Sequence, residues 1–152
     1  MRGDDNRVND VFRHEIASGR TTLVSRGRRG RADDRSDAPV VSADGRYVAF
    51  TSEASNLRWT TRGPRSMADL NLVADVYLFD AVTDTITRVS GWDAAGGPWW
   101  EPSLGPALDA SGRVIAFSTR HPIDDRDVDA AFDLIVRRID EINPGSPSKH
   151  SR

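Results

Sequence analysis

Apolar and polar residues alternate along several short segments of the chain, and this pattern predicts β-strands. Residues 21–24 and 85–89 show the period of two that is typical of a strand with one buried face. Residues 11–16 and 76–79 are rich in β-branched and aromatic side chains, which favour strands. No segment combines a helical period with helix caps, and at most a short helical turn is expected near residues 66–68. The pattern therefore predicts an all-β fold.

The predicted strands form an internal repeat. Val11 returns as Val76 after 65 residues, and Phe50 returns as Phe117 and the turn residue Gly45 as Gly112 after 67, so the period is about 65 residues. Both glycines lie between two predicted strands, where the freedom of glycine to adopt a positive φ favours a tight hairpin. A complete unit supplies four antiparallel strands, which is the plan of one propeller blade.

The repeat pattern begins and ends inside a unit, so the sequence is expected to contain one complete unit flanked by two incomplete ones. Because two blades cannot close a ring, three interpretations stay open: a fragment of a longer product, an assembly of copies that completes a ring, or an open two-blade sandwich with exposed strand edges. The tail is predicted to be disordered because its last residues lack apolar side chains. We predict a partial propeller at 4–139, made of a half blade (4–25), a full blade (36–90) and a partial blade (103–139), followed by a disordered tail at 140–152.

The first complete copy of the repeat resembles a known family. Residues 39–50 read Pro-Val-Val-Ser-Ala-Asp-Gly-Arg-Tyr-Val-Ala-Phe, which is similar to the WD40-like Asp-Gly repeat of TolB-like β-propellers. The wider segment 42–57 is closer still to bacterial TolB-like repeat proteins. The second copy, at 106–117, is looser and has Ser111 where the family prefers Asp. The resemblance covers most of residues 4–139 and implies blades of a propeller that usually has about six.

The resemblance also implies a function. TolB-like propellers act in the bacterial envelope as interaction modules, so it implies a non-catalytic scaffold that binds a protein partner. The alternative is the propeller portion of a larger prolyl-oligopeptidase-like hydrolase, in which similar blades gate the catalytic domain. A periplasmic or secreted location follows from the resemblance, and a cytoplasmic one follows if Met1 is the true start. A shared fold alone decides neither function.

Composition and motifs argue against several classes of function. The formal net charge of the 152-residue chain is -2, so no global field favours nucleic acid. No apolar run approaches the roughly 18 residues that a membrane helix needs, and the absence of cysteine excludes thiolate chemistry. Catalytic and phosphate-binding motifs are missing, and His14, His121 and His150 are isolated in the sequence. We therefore expect no catalysis, no nucleic acid partner and no membrane insertion.

An acidic loop precedes the third strand of every unit. Each copy fits Asp-x-Asn/Asp-x-x-x-Asp, and oxygen ligands at alternate positions are what Ca²⁺ requires. In the other interpretation, Asp and Asn cap the loop by accepting hydrogen bonds from nearby backbone N–H groups. No copy has the mid-loop glycine or the distal bidentate glutamate of an EF-hand. The candidate calcium ligands are Asp4, Asn6, Asp10, Asp69, Asn71, Asp75, Asp127, Asp129 and Asp133.

The two loops that join successive units differ in chemistry. Residues 26–31 contain four arginines that could grip phosphates, but three aspartates follow by residue 37 and no aromatic residue is interleaved, so a solvated loop is predicted. The matching loop at 91–100 carries tryptophans instead. These either form a hydrophobic lid on a neighbouring blade, which we favour, or form a binding hot spot. Trp99 and Trp100 are the candidate partner-binding residues.

A few repeat residues are expected to be structural. Asp44 and Arg46 should tie their hairpin into the blade. The residues expected to face the core between adjacent sheets are Val48, Phe50, Ile115 and Phe117. Self-association is expected through the open edges of the incomplete blades.

Overall fold

The computed structural model describes residues 6–27, 30–57, 72–90, 100–122 and 131–142. The predicted all-β fold is confirmed, since these residues form short strands and a single short helix. No helix within the described ranges is long and apolar enough to cross a membrane. In chain order the elements are β1 (Phe12–Glu15), β2 (Arg20–Leu23), β3 (Arg26–Gly27), β4 (Gly30–Arg31), β5 (Ser36–Val41), β6 (Tyr47–Ser52), β7 (Asp75–Asp80), β8 (Thr85–Arg88), β9 (Ser103–Leu108), β10 (Val114–Thr119), β11 (Asp133–Arg138) and α1 (Ile139–Ile142).

The strands form three repeat units. The second unit is an antiparallel four-stranded sheet in the order β5-β6-β7-β8, as the blade plan predicts. The first unit is the hairpin β1–β2, and the third unit is the antiparallel sheet β9-β10-β11 followed by α1. None of these sheets closes on itself within the described residues, so the blades form an incomplete propeller-like array.

The central sheet is buried on both faces. Every residue of β6 and β7 is buried. Val48 and Phe50 face the first unit and pack with its residues Val11 and Val24, in what we call the first-to-second cluster. The opposite face packs against the third unit in the second-to-third cluster, whose buried members are Tyr47, Ala49, Val76, Leu78, Val89, Ile115, Phe117 and Ile139. The four predicted core residues therefore lie between adjacent sheets, as expected.

Two predictions need correction, one about where the tail begins and one about the structure of the arginine-rich segment. The tail was predicted to begin at residue 140, but α1 spans Ile139–Ile142 because Ile139, which is 2% exposed, and Ile142 pack against the second-to-third cluster. The arginine-rich segment was predicted to be a solvated loop, but β3 pairs with β4 and Gly27 is buried. The possible helical turn near 66–68 lies outside the described residues.

The turn before β6 and the turn before β10 each contain a hydrogen bond from a serine hydroxyl to an aspartate carboxylate. The order of serine and aspartate in the sequence is opposite in the two turns. Ser42 Oγ donates to Asp44 Oδ1 at 2.7 Å, and the Arg46 N–H donates to the same carboxylate at 3.0 Å. In the third unit the acid comes first, and the Asp109 carboxylate accepts from the Ser111 hydroxyl and from the next strand's backbone. The looser second copy therefore keeps the hydroxyl–carboxylate bond that stabilises the turn.

We expect Gly112→Ala to destabilise the chain more than Gly45→Ala. Both glycines have a left-handed φ, 65° at Gly112 and 69° at Gly45, which costs an alanine about 1–2 kcal/mol. A Cβ at Gly112 would in addition lie 2.6 Å from the buried ring of Tyr47, whereas at Gly45 the nearest atom is an Arg13 nitrogen at 3.7 Å. Urea denaturation of the two variants measures the difference, and equal losses would show that the Gly112 turn does not press on Tyr47.

Candidate functional site

The starts of β5, β7, β9 and β11 lie at one end of the stacked sheets, which we call the cleft end. Ser36, Ser52 and Asp75 are paired across the second unit there. The hydroxyls of Ser36 and Ser52 are 2.9 Å apart, and Ser103 and Thr119 form the equivalent pair in the third unit at 3.1 Å. These buried bonds join the first strand to the second in both units. Their sequence signal is the recurrence of a hydroxyl residue at the period of the repeat.

The last aspartate of the acidic loop has a repeated structural role. In the first unit Ser25 Oγ donates to Asp10 at 2.8 Å and accepts from the Val11 N–H at 3.1 Å. In the second unit Ser90 Oγ donates to Asp75 at 2.6 Å and accepts from the Val76 N–H at 2.8 Å. The serine thereby ties the fourth strand to the start of the third. In both units the loop aspartate thereby reaches the backbone through the serine hydroxyl.

The two aspartates differ in the partner of their second oxygen. Asn6 Nδ2 donates to Asp10 Oδ2 at 3.0 Å, so two predicted calcium ligands bond to each other. Asp75 Oδ2 lies 2.6 Å from the Arg88 guanidinium, and both side chains are buried. An arginine at this distance already neutralises the carboxylate charge that a cation would use. The repeat did not predict this ion pair, because the position of Arg88 is occupied in the first unit by the uncharged Leu23.

The other candidate calcium ligands are not brought together in the described part of the chain. Asp4, Asp69, Asn71, Asp127 and Asp129 lie outside it, and Asp133 begins β11. Among the described residues no group of three or more His, Asp or Glu side chains is arranged to hold a metal ion. Calcium binding therefore stays one of two open interpretations, and the described contacts favour the prediction that the loops bind no calcium.

Calorimetric titration with Ca²⁺ tests that prediction directly. Because Asp10 and Asp75 already have protein partners, we expect no heat of binding and no thermal shift at millimolar ion. A saturable heat that disappears in Asp10→Asn would restore the calcium interpretation for the first loop.

A cleft of about 260 Å³ opens at this end between the second and third units. The cleft lies beside a bulge in the first strand of each unit, where Ala38 has a φ of 50° and Gly105 a φ of 62°. Arg35 and Glu53 form an exposed ion pair at its rim. The lining residues are Arg35, Asp37, Ala38, Thr51, Ser52, Glu53, Ala74, Leu104 and Gly105.

Exposed apolar side chains also lie at the cleft end. Trp100 precedes β9 and is 62% exposed, which favours the binding alternative over the lid, and both stay predictions. Trp99 lies outside the described residues. Leu72 precedes β7 and is 78% exposed, and Phe132 precedes β11 with the Arg120 guanidinium 4.6 Å from its ring centre. The described residues just before three strands therefore present apolar side chains at the cleft end.

The opposite end of the second unit is held by an ion pair. Arg46 Nε and Nη2 donate to the two oxygens of Asp80 at 2.9 and 2.8 Å, and the guanidinium lies over the Tyr47 ring. The prediction that Arg46 ties its hairpin into the blade is confirmed. Burial alone would raise the pKa of Asp80, but the hydrogen bonds from Arg46 and from the Val82 N–H outweigh burial and hold the pKa below its ordinary value.

This lowered pKa predicts a pH dependence of stability. The unfolded chain binds the Asp80 proton near pH 3.9, more readily than the folded chain does. The stabilisation by the ion pair is therefore complete well above that pH and is lost as the pH falls through the folded pKa. Urea denaturation between neutral and acidic pH should show a smaller loss of stability in Asp80→Asn than in the original chain. Parallel curves for the two proteins would contradict the prediction.

Comparisons with known proteins give little further information. No family model and no curated protein matches the chain. A solved structure titled "Crystal structure of the tricorn protease" is similar over 91% of this chain, with 16% sequence identity and a TM-score of 0.47. The chain spans 12% of the length of that protein. A likeness at this identity and TM-score establishes neither a shared fold nor a shared activity.

Proposed function

We propose that the chain is a non-catalytic interaction scaffold of the TolB-like propeller type, and that it binds a protein partner at the cleft end. The observation that carries the proposal is Trp100, an aromatic side chain that precedes β9 at the cleft end and is 62% exposed. Removing so large an apolar side chain from water releases free energy when a partner covers it, and Trp is over-represented among the residues that dominate binding.

The surroundings of Trp100 support the same proposal. The strand that follows Trp100 is anchored to its neighbour, because the Ser103 N–H donates to the Ala74 carbonyl at 2.7 Å and joins the start of β9 to the start of β7. The ion pair of Arg35 with Glu53 supplies polar groups at the rim of the cleft. An apolar centre with a polar rim on a rigid scaffold is typical of a protein-binding surface.

Selection of a random peptide library on the immobilised chain tests the proposal. Peptides that bind this end should bind Trp100→Ala about tenfold or more weakly, which is the loss expected for a central aromatic contact. Val82→Ala is a matched control, because Val82 is 68% exposed but lies at the turn between β7 and β8, at the opposite end.

Two outcomes would overturn the proposal. One is a selection that enriches no peptide, and the other is a set of peptides that bind Trp100→Ala and the original chain equally well. The hydrolase-linked propeller stays the alternative prediction, and a catalytic domain joined to this array in a longer chain would favour it.

A further inference from the structure

One repeat position is covered in two units and open in the third. Val11, Val76 and Leu134 occupy this position, one residue into the third strand, and their exposures are 2%, 0% and 67%. The second unit covers Val11, and the third unit covers Val76. Two residues further along the strand, Leu78 is 2% exposed and Val136 is 61% exposed. The third unit therefore presents the face that the first two units bury.

The open face is a regular sheet surface. Leu134 pairs with Ser118 and Val136 pairs with Ala116 across β10 and β11, so these four side chains form two adjacent rows. The inner face of the same strands carries Ile115 and Phe117, which are fully buried against the second unit. No sheet among the described residues lies against the outer rows. We call them the outer face of the third unit.

The first unit carries the other half of the same interface. Phe12, Tyr77 and Ile135 occupy one repeat position, which points toward the preceding unit. Tyr77 packs into the first-to-second cluster, and Ile135 packs against the second-to-third cluster. Phe12 pairs with Leu23 across β1 and β2, and both are half-buried although no described unit precedes them. Within the described residues, both halves of an interface that forms twice internally therefore lack a facing sheet.

We propose that a second copy of this chain docks the outer side of its first unit, at Phe12 and Leu23, onto the outer face of the third unit. The two copies then repeat the relation that joins successive units within one chain. Such a contact is head-to-tail, because different surfaces meet, and it can continue into a ring or an open array. This surface is separate from Trp100, so the proposal stands independently of the proposed function.

The chain itself favours a second copy over an unrelated partner. Both internal interfaces place apolar side chains of a third strand against the preceding sheet, and the copy would bring Phe12 to Leu134 and Val136 at the equivalent positions. Apolar surface exposed in rows along a sheet marks an interaction site. The sequence predicts self-association through strand edges, which would pair backbone groups of two strands. Such edge pairing would not cover the exposed side chain of Leu134.

Two variants separate the faces of this contact. Leu134→Glu places a charge on the third-unit face, and Thr21→Glu places one on the first-unit face, where Thr21 is exposed and paired with His14. In sedimentation velocity over a concentration series, the original chain should associate and each variant alone should remain a single copy. An equimolar mixture should form a species of two copies, because each variant contributes one intact face.

Controls keep the result interpretable. Val82→Glu, at an exposed residue on the turn between β7 and β8 of the second unit, should associate like the original chain. Circular dichroism melting confirms that the variants fold, and Val136→Glu replaces Leu134→Glu if that variant does not. A monomeric original chain at all concentrations overturns the proposal. So does association that survives Leu134→Glu, which would indicate edge pairing, and so does a Thr21→Glu protein that associates alone, which would indicate two third-unit faces meeting each other.

Discussion

Replacing Phe50 by alanine is expected to lower the free energy of unfolding by about 3–5 kcal/mol. Phe50 is fully buried in β6, and its ring stacks on that of Tyr77 with centroids 5.7 Å apart. It packs in the first-to-second cluster, so its removal leaves a cavity between two units as well as a loss of apolar burial. Chemical denaturation by urea, followed by circular dichroism, measures the loss.

The control for this prediction lies on the neighbouring strand. Val41 of β5 is 59% exposed, so Val41→Ala should change the stability by less than about 0.5 kcal/mol. Phe117 has the same repeat position in the third unit and is also fully buried, and its replacement by alanine should cost as much as that of Phe50. A loss below about 1 kcal/mol for Phe50→Ala would place this residue at an exposed edge and contradict the stacking of the units.

Asp75→Ala should cost about 3–5 kcal/mol, because it leaves the Arg88 guanidinium buried without its carboxylate. The two side chains are 0% and 5% exposed, and their charged atoms are 2.6 Å apart. The same substitution also removes the acceptor of the Ser90 hydroxyl. Urea denaturation at neutral pH measures the loss.

The repeat supplies a matched control for Asp75. Asp10→Ala removes the equivalent serine bond in the first unit, where Leu23 replaces the arginine, and should cost about 1–2 kcal/mol. The double variant Asp75→Ala with Arg88→Leu removes both charges and should regain most of the loss, since a buried ion pair can be exchanged for apolar residues at little net cost. Equal losses for Asp75→Ala and Asp10→Ala would show that the ion pair contributes nothing specific.

The strands and their repeat were predictable from the sequence because they depend on local patterns. Alternation of apolar residues identified β2 and β8, runs of β-branched and aromatic residues identified β1 and β7, and the glycines at 45 and 112 marked hairpins that both adopt a positive φ. The pairing of β3 with β4 was not predictable. It depends on a distant contact, in which Asn56 Nδ2 donates to the Arg31 carbonyl at 3.0 Å and an isolated bridge joins Gly27 to Leu57.

The candidate site was predictable only in part. The acidic loops were identified, but whether a carboxylate meets a cation or a serine depends on the neighbouring strand, and Ser25 and Ser90 are distant from Asp10 and Asp75 in the sequence. The exposure of Trp100 depends on what packs around its loop, so the same residue type was compatible with a lid and with a binding surface.

The sequence by itself determined the all-β class, the period of about 65 residues and the residues that fill the core, because side-chain alternation and turn chemistry act over a few neighbouring positions. Only the tertiary structure decided which equivalent residues are covered. Val76 and Leu134 share one repeat position, yet one is buried and the other is 67% exposed. The reason is physical: burial of a sheet face depends on the sheet stacked against it, and that neighbour lies about one full repeat away along the chain.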